Sequence, residues 1–228
     1  MIFKNVFSIL AILAVSVFTF SSCDKDDEPT PDPTGRVMVV HASPDAPSVD
    51  LLVDNSKVNS AALSFPNNTG YLAVKTGTRN IKVNAAGTST NVINVDFVVD
   101  TSKNYTVFAI DVLSKITVLA VEDDLTTPAQ GKSHLRVFHF IPDAPAVDIL
   151  INGTVAISNV TFKEGTNFIP VDAGTYNIAV NVANTNTNVF TVPGLVLANK
   201  KIYTVFARGL AIPSGSVNTP GATVIANN

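Results

Sequence analysis

His41-Ala42-Ser43-Pro44-Asp45-Ala46-Pro47-Ser48-Val49-Asp50 decides the fold, because it recurs as His139-Phe140-Ile141-Pro142-Asp143-Ala144-Pro145-Ala146-Val147-Asp148. The prolines restrict the chain most. Pro44 and Pro47 hold their own φ and push Ser43 and Ala46 towards extended geometry, so no helix can run through the motif. Pro44 and Asp45 suit the centre of a tight turn. One strand must end near His41 and a second begin near Ser48. In that second strand Val49, Leu51 and Val53 share a face, as do Val147, Ile149 and Ile151 in the later copy. Asp50 and Asp148 fall on the opposite face with Leu52 and Leu150, the alternation of a half-buried strand.

The two copies lie 98 residues apart and stay in step afterwards. At the same spacing Asn104-Tyr105-Thr106-Val107-Phe108-Ala109 matches Ile202-Tyr203-Thr204-Val205-Phe206-Ala207. One residue less aligns Tyr71-Leu72-Ala73-Val74 with Phe168-Ile169-Pro170-Val171. Thr117-Val118-Leu119-Ala120 aligns with Thr223-Val224-Ile225-Ala226 if the second copy carries eight extra residues in the loop before it. Residues 213–220 have the composition of such a loop.

In the first copy, strands are predicted near 36–41, 48–53, 58–65, 70–76, 79–85, 91–99, 104–111 and 115–122, separated by turn residues such as Asp54-Asn55 and Ala86-Gly87. No segment holds a helical period. Short strands at this spacing predict an all-β chain of two tandem immunoglobulin-like, Greek-key antiparallel β-sandwich domains. Val99 before Tyr105 and Leu197 before Tyr203 have the spacing of a tyrosine corner, in which the phenol bonds upstream backbone.

Residues 36–50, the later Gly77 and Gly174, and the Tyr-Thr-Val blocks together resemble the domain-of-unknown-function family 4397. The resemblance implies a β-sandwich on the cell surface and names no reaction.

Residues 1–22 read as a lipoprotein signal peptide. Lys4 precedes an apolar run over 6–20, which falls short of the roughly 20 residues that a membrane span needs. Phe20-Ser21-Ser22-Cys23 resembles a lipobox, with the only cysteine of the chain at the position to be acylated. Residues 23–35 follow as a tether, an acidic run and then alternate prolines, which cannot bury a core. The acidic run also resembles the surface-export signal of Bacteroidetes lipoproteins. Repeat 1 then spans 36–124, a linker 125–133 and repeat 2 134–228. The expected location is the cell envelope, outer membrane or cell surface, held by a lipid anchor on Cys23. From Cys23 onward 14 basic residues face 18 acidic ones, so no basic patch exists for nucleic acid. A single cysteine allows no internal disulfide, so each repeat is expected to hold together by its own core.

The candidate site residues are those of the repeated motif: His41, Pro44, Asp45, Pro47 and Asp50, with His139, Pro142, Asp143, Pro145 and Asp148. Each imidazole should sit at the end of the core, bonded to the following Asp or to a turn carbonyl. Asp45 and Asp143 are expected to cap their own turns. A His–Asp pair with Ser43 as nucleophile would support hydrolysis, but the second copy has Ile141 there. The motif carboxylates are too few for calcium, which takes six to eight oxygens, and no metal or cofactor is expected. The function expected is that of a non-catalytic lipoprotein whose two modules serve adhesion, ligand binding or envelope structure, with a surface protein or glycan as possible ligand. The alternatives are a glycan-binding accessory subunit of a nutrient-uptake complex, marked by an exposed strip of Tyr71, Phe97 or Phe168, and a hydrolase.

Overall fold

The first repeat forms β1 (Thr34–His41), β2 (Val49–Val53), β3 (Ser56–Lys57), β4 (Asn68–Lys75), β5 (Gly77–Ala85), β6 (Asn91–Val99), β7 (Asn104–Ile110) and β8 (Thr117–Glu122). The second forms β9 (Lys132–His139), β10 (Val147–Ile151), β11 (Thr154–Val160), β12 (Ile169–Asp172), β13 (Gly174–Val182), β14 (Asn188–Leu197), β15 (Ile202–Arg208) and β16 (Gly221–Ala226). These come from a computed structural model that describes residues 32–213 and 218–228. The signal peptide, Cys23 and most of the tether lie outside the described residues. β1 and β9 each begin two residues before the repeat starts read from sequence, at Thr34 and Lys132.

Each repeat is a sandwich of two four-stranded sheets, ordered β4-β1-β7-β8 over β3-β2-β5-β6 and β12-β9-β15-β16 over β11-β10-β13-β14. The ladders are antiparallel except that β1 runs parallel to β7 and β9 to β15. Both parallel pairs lie in the sheets that face the other repeat. Val37, Val39, Tyr105 and Val107 point into the first sandwich, against Leu51, Ile81 and Val83. Leu135, Val137 and Val205 do the same in the second, against Ile149, Ile178 and Val180.

The alternate residues of the inner strands do not meet water. Met38, Val40, Phe108 and Ile110 pack against Phe138, Phe140, Phe206 and Ile225 of the other repeat. Phe108 lies 5.1 Å from Phe138 and 5.0 Å from Phe140 between ring centroids, and Phe138 and Phe140 stack at 14°. The two repeats therefore share a third core, and residues Asp32–Asn228 form one compact unit. Each repeat keeps the core of its own that was expected, and the shared core adds to those two. Both faces of the inner sheets are apolar, as in sheets covered on both sides.

Two local readings also change. No strand runs over 58–65: β3 ends at Lys57, and within that stretch only a single bridge forms, between Val49 and Leu63. The Asn59 side chain takes the ladder's place. Its Oδ1 accepts from Leu51 N at 2.8 Å, and its Nδ2 donates to Val49 O at 3.2 Å and Ala61 O at 2.8 Å. The second repeat has Ile157 at the matching place, and there β11 pairs with β10 from Thr154 to Val160, with two register shifts. The second change concerns the last strand. Phe108 pairs with Leu119 and Phe206 with Thr223, so Thr117 corresponds to Gly221 and the extra loop has six residues, not eight. A slip of two keeps every side chain on its face, so alternation could not detect it.

The tyrosine corners are present. Tyr105 OH accepts from Asp100 N at 3.4 Å and donates to the Asp100 carboxylate at 3.2 Å, while Tyr203 OH accepts from Ala198 N at 3.2 Å. Tyr105 packs its buried ring edge-on against Phe97 at 5.1 Å. Tyr105→Phe and Tyr203→Phe should each cost about 0.5–1.5 kcal/mol, read as a shift in the denaturant midpoint at unchanged m-value. Wild-type midpoints in both variants would remove the corners from the account of stability.

Candidate functional site

Both histidines are buried at the ends of β1 and β9 and face a turn carbonyl rather than an aspartate. His41 Nε2 lies 2.9 Å from Pro47 O, and His139 Nε2 lies 3.2 Å from Pro145 O. A carbonyl only accepts, so each Nε2 carries the proton. The Nδ1 of His139 then accepts from Ile141 N at 3.3 Å. Each imidazole thus ties the end of one strand to the turn that starts the next.

The aspartates are spent elsewhere in the fold. Asp50 pairs with Lys57 at 2.7 Å and accepts from Gly87 N at 3.1 Å. Asp148 accepts from Asn159 N at 2.8 Å and Asn184 N at 2.9 Å, so it holds two hairpin ends together. Asp45 and Asp143 do not cap their own turns. Asp45 accepts from Leu113 N at 2.7 Å, while Asp143 accepts from Ala211 N at 2.7 Å and Ile212 N at 3.0 Å. The turn presents the carboxylate outward, where the orphan N–H groups after β7 and β15 are within reach. Pro44 and Pro142 supply the bend that makes this possible.

Ser43 is fully buried and its hydroxyl makes no hydrogen bond, so it forms no pair with His41. Ala42, Phe140 and Ile141 are equally buried, and Ala42 and Phe140 belong to the shared core. The change from Ala-Ser to Phe-Ile is therefore a matter of packing, not of tolerance in a free loop. The rings expected as an exposed strip lie apart. Phe97 packs on Tyr105, Tyr71 joins a buried network, and Phe168 covers Arg136 at 4.2 Å from ring centroid to guanidinium carbon. Among the described residues no group of three or more His, Cys, Asp or Glu side chains could hold a metal ion. No described helix is long and apolar enough to cross a membrane.

The polar constellation that sequence reading missed lies on the seam between the repeats. Arg136 Nη1 and Asp123 Oδ1 form an ion pair at 2.6 Å, with side chains 3% and 0% exposed. Asp123 Oδ2 accepts from Thr106 Oγ1 at 2.5 Å and Tyr71 OH at 2.6 Å. Arg136 Nε donates to Thr204 Oγ1 at 2.8 Å, Thr204 donates to Asn227 Oδ1 at 2.8 Å, and Asn227 Nδ2 donates to Tyr71 OH at 3.1 Å. The bonds close a ring that spans both repeats. Burial, reinforced by the Asp123 charge, pushes the Tyr71 phenol up to about 12, so it stays a donor. A signal was available in the sequence: Arg136 interrupts the apolar run Leu135–Phe138 at the place where the first copy has Met38.

Beside this network a cleft of about 430 Å³ opens along the seam. Glu122 and Asp124 come from the end of β8, His134 and Arg136 from β9, and Asn167 and Phe168 from the loop before β12. Gly165 at its edge packs so closely on the Phe138 ring that a Cβ there would collide with it. A domain-interface recess with mixed polar and aromatic walls suits a small ligand.

Burial holds both motif imidazoles below the ordinary histidine value of 6.5, against the pull of the proline carbonyls. The neutral ring is the folded form, so the unfolded chain takes up these protons first as pH falls. Stability from this source is full above pH 6.5 and is lost as pH drops from there towards the folded values. Urea midpoints should fall between neutral pH and about pH 5.5, before carboxylates titrate. His41→Gln with His139→Gln should flatten that segment. An unchanged slope in the double variant would assign the pH dependence to other groups.

The profile of the Domain of unknown function (DUF4397) matches residues 35–149 and again 133–228. A search of curated proteins finds no match. Among solved structures, a candidate cell adhesion protein from Bacteroides fragilis NCTC 9343 shares 14% identity. That alignment covers 86% of this chain and 98% of the other, with a TM-score of 0.21.

Proposed function

The chain belongs to the family DUF4397 as a tandem pair, and from that premise we propose a non-catalytic cell-envelope lipoprotein that displays one double-sandwich body for adhesion or ligand capture. The observation that carries this reading is where the motif's polar groups go. His41 and His139 bond turn carbonyls, and Asp45, Asp50, Asp143 and Asp148 bond backbone amides. The repeated residues build the body rather than face a substrate. Cys23, the one cysteine of the chain, supplies the lipid attachment, and residues 23–33 act as the spacer between membrane and β1. The outer membrane, with the body facing outward, is the location this reading assigns.

The test is fractionation. Wild-type protein should partition with membranes and take up a labelled fatty acid, whereas Cys23→Ala should take up none and appear as soluble or unprocessed protein. A processed Cys23→Ala protein that still follows the membrane would sink the lipid anchor.

The seam cleft favours a second reading, a glycan-binding accessory subunit. Its half-buried Phe168 ring lies with Glu122, Asp124, His134 and Asn167 around one recess, groups that suit the apolar face and hydroxyls of a sugar. On a glycan array the mature protein should then retain a defined set of sugars, and Asn167→Ala should weaken that set without changing the melting curve. Binding that Asn167→Ala leaves intact would place the ligand outside the cleft.

A further inference from the structure

The seam is built on a pseudo-symmetric plan, yet its charges are not symmetric. Three cationic side chains reach across it among the described residues. Arg136 pairs with Asp123 at 2.6 Å, Lys163 with Asp111 at 3.5 Å, and the Arg208 guanidinium lies 5.6 Å from the Phe65 ring centroid. In every case the cation comes from repeat 2 and its partner from repeat 1.

The matching position in the other copy is uncharged each time. Arg136 stands opposite Thr204 on β15 as Met38 stands opposite Thr106 on β7. Arg208 closes β15 where Ile110 closes β7. Lys163 precedes the carbonyl that receives His139 N, as Pro66 precedes the one that receives His41 N. Asp123 N bonds Asn104 O at the start of β7, as Asn227 N bonds Ile202 O at the start of β15. Asp111 follows β7 at φ 76° where Gly209 follows β15 at φ 98°. Repeat 1 thus presents carboxylates without their cations, and repeat 2 presents cations without carboxylates.

We propose that these charges make the seam partner-selective: they admit a repeat 1 face only to a repeat 2 face and reject like pairing between two copies of the chain. The apolar part of the seam cannot make this choice. Phe108 and Phe206 occupy the same place in the two copies, so sheet-on-sheet burial would reward like pairs as well. Pairing two repeat 1 faces would bury Asp123 twice with no guanidinium to meet it. Pairing two repeat 2 faces would bury Arg136 twice with the neutral Asn227 in the place of Asp123. A buried charge without its partner costs far more than a neutral group in the same place. Selection against the wrong partner by stranded charge is the general device. On a membrane crowded with anchored copies, it would keep each chain paired with itself.

The test uses the whole protein with a protease site inserted between Thr126 and Thr127, both exposed in the connection. After cleavage the halves are unfolded together, refolded by dilution and weighed by native mass spectrometry. Repeat 1–repeat 2 pairs should be the product, with like pairs absent. Like pairs in random proportion would overturn the proposal. Cleaved Asp123→Asn/Arg136→Met protein, which carries the neutral residues of the opposite copies, should begin to form like pairs.

Should the halves aggregate on refolding, the uncut chain decides. Arg136→Met alone leaves the Asp123 carboxylate buried and unmatched, and should lower the folding equilibrium constant at least about 100-fold. Adding Asp123→Asn should recover much of that loss. An Arg136→Met protein as stable as wild type would overturn the proposal on its own, because the pair would then discriminate nothing.

Discussion

The ion pair between Arg136 and Asp123 is the constraint on which the seam depends. Both side chains are almost wholly withdrawn from water, and an ion so placed must find every partner inside the protein. Thr106, Thr204, Tyr71 and Asn227 meet that demand through bonds that run from one repeat to the other and back. Each contributes only if both inner sheets hold their register. The pair is weak evidence for stability, since its Coulomb energy is offset by desolvation. Stability at the seam rests on Phe108 and the three phenylalanines around it, which bury large apolar surface at favourable ring geometry. The apolar rings make the faces adhere, and the ion pair dictates how.

Within each sandwich the repeated motif has a separate task. Its prolines end β1 and β9, its histidines staple the strand end to the next turn, and its aspartates gather amides from loops distant in sequence. The second copy makes the stronger set. Asp143 receives two amides where Asp45 receives one, and Asp148 receives two amides where Asp50 relies on one amide and Lys57. Lys57 itself is largely exposed, so that pair is screened by solvent.

The strands that alternate were readable because period-two burial on one face is a local property. β2 follows its alternation, β10 departs from it only in that Asp148 is buried as well, and β5, β6, β7 and β8 lie within two residues of their expected limits. The tyrosine corners were readable for the same reason, since donor and acceptor lie five residues apart. The missing strand after β3 was not. Asn59 looks like any polar strand residue until its amide is seen to occupy the place of a ladder partner. The histidine partners also stayed open between aspartate and carbonyl, because sequence spacing is compatible with both.

By itself the sequence determined a tandem β-sandwich, the turn between the first two strands of each copy, the corner tyrosines and the absence of disulfides. All of these follow from local stereochemistry, periodicity or composition. Tertiary structure alone decided that the sandwiches stack through a common core and that Arg136 finds its carboxylate across it. The reason is that β1, β7, β9 and β15 are apolar on both faces. Such a run declares that something must cover its second face, but hydrophobic burial is non-directional and does not name the cover. Only the assembled fold shows that each repeat is the cover for the other.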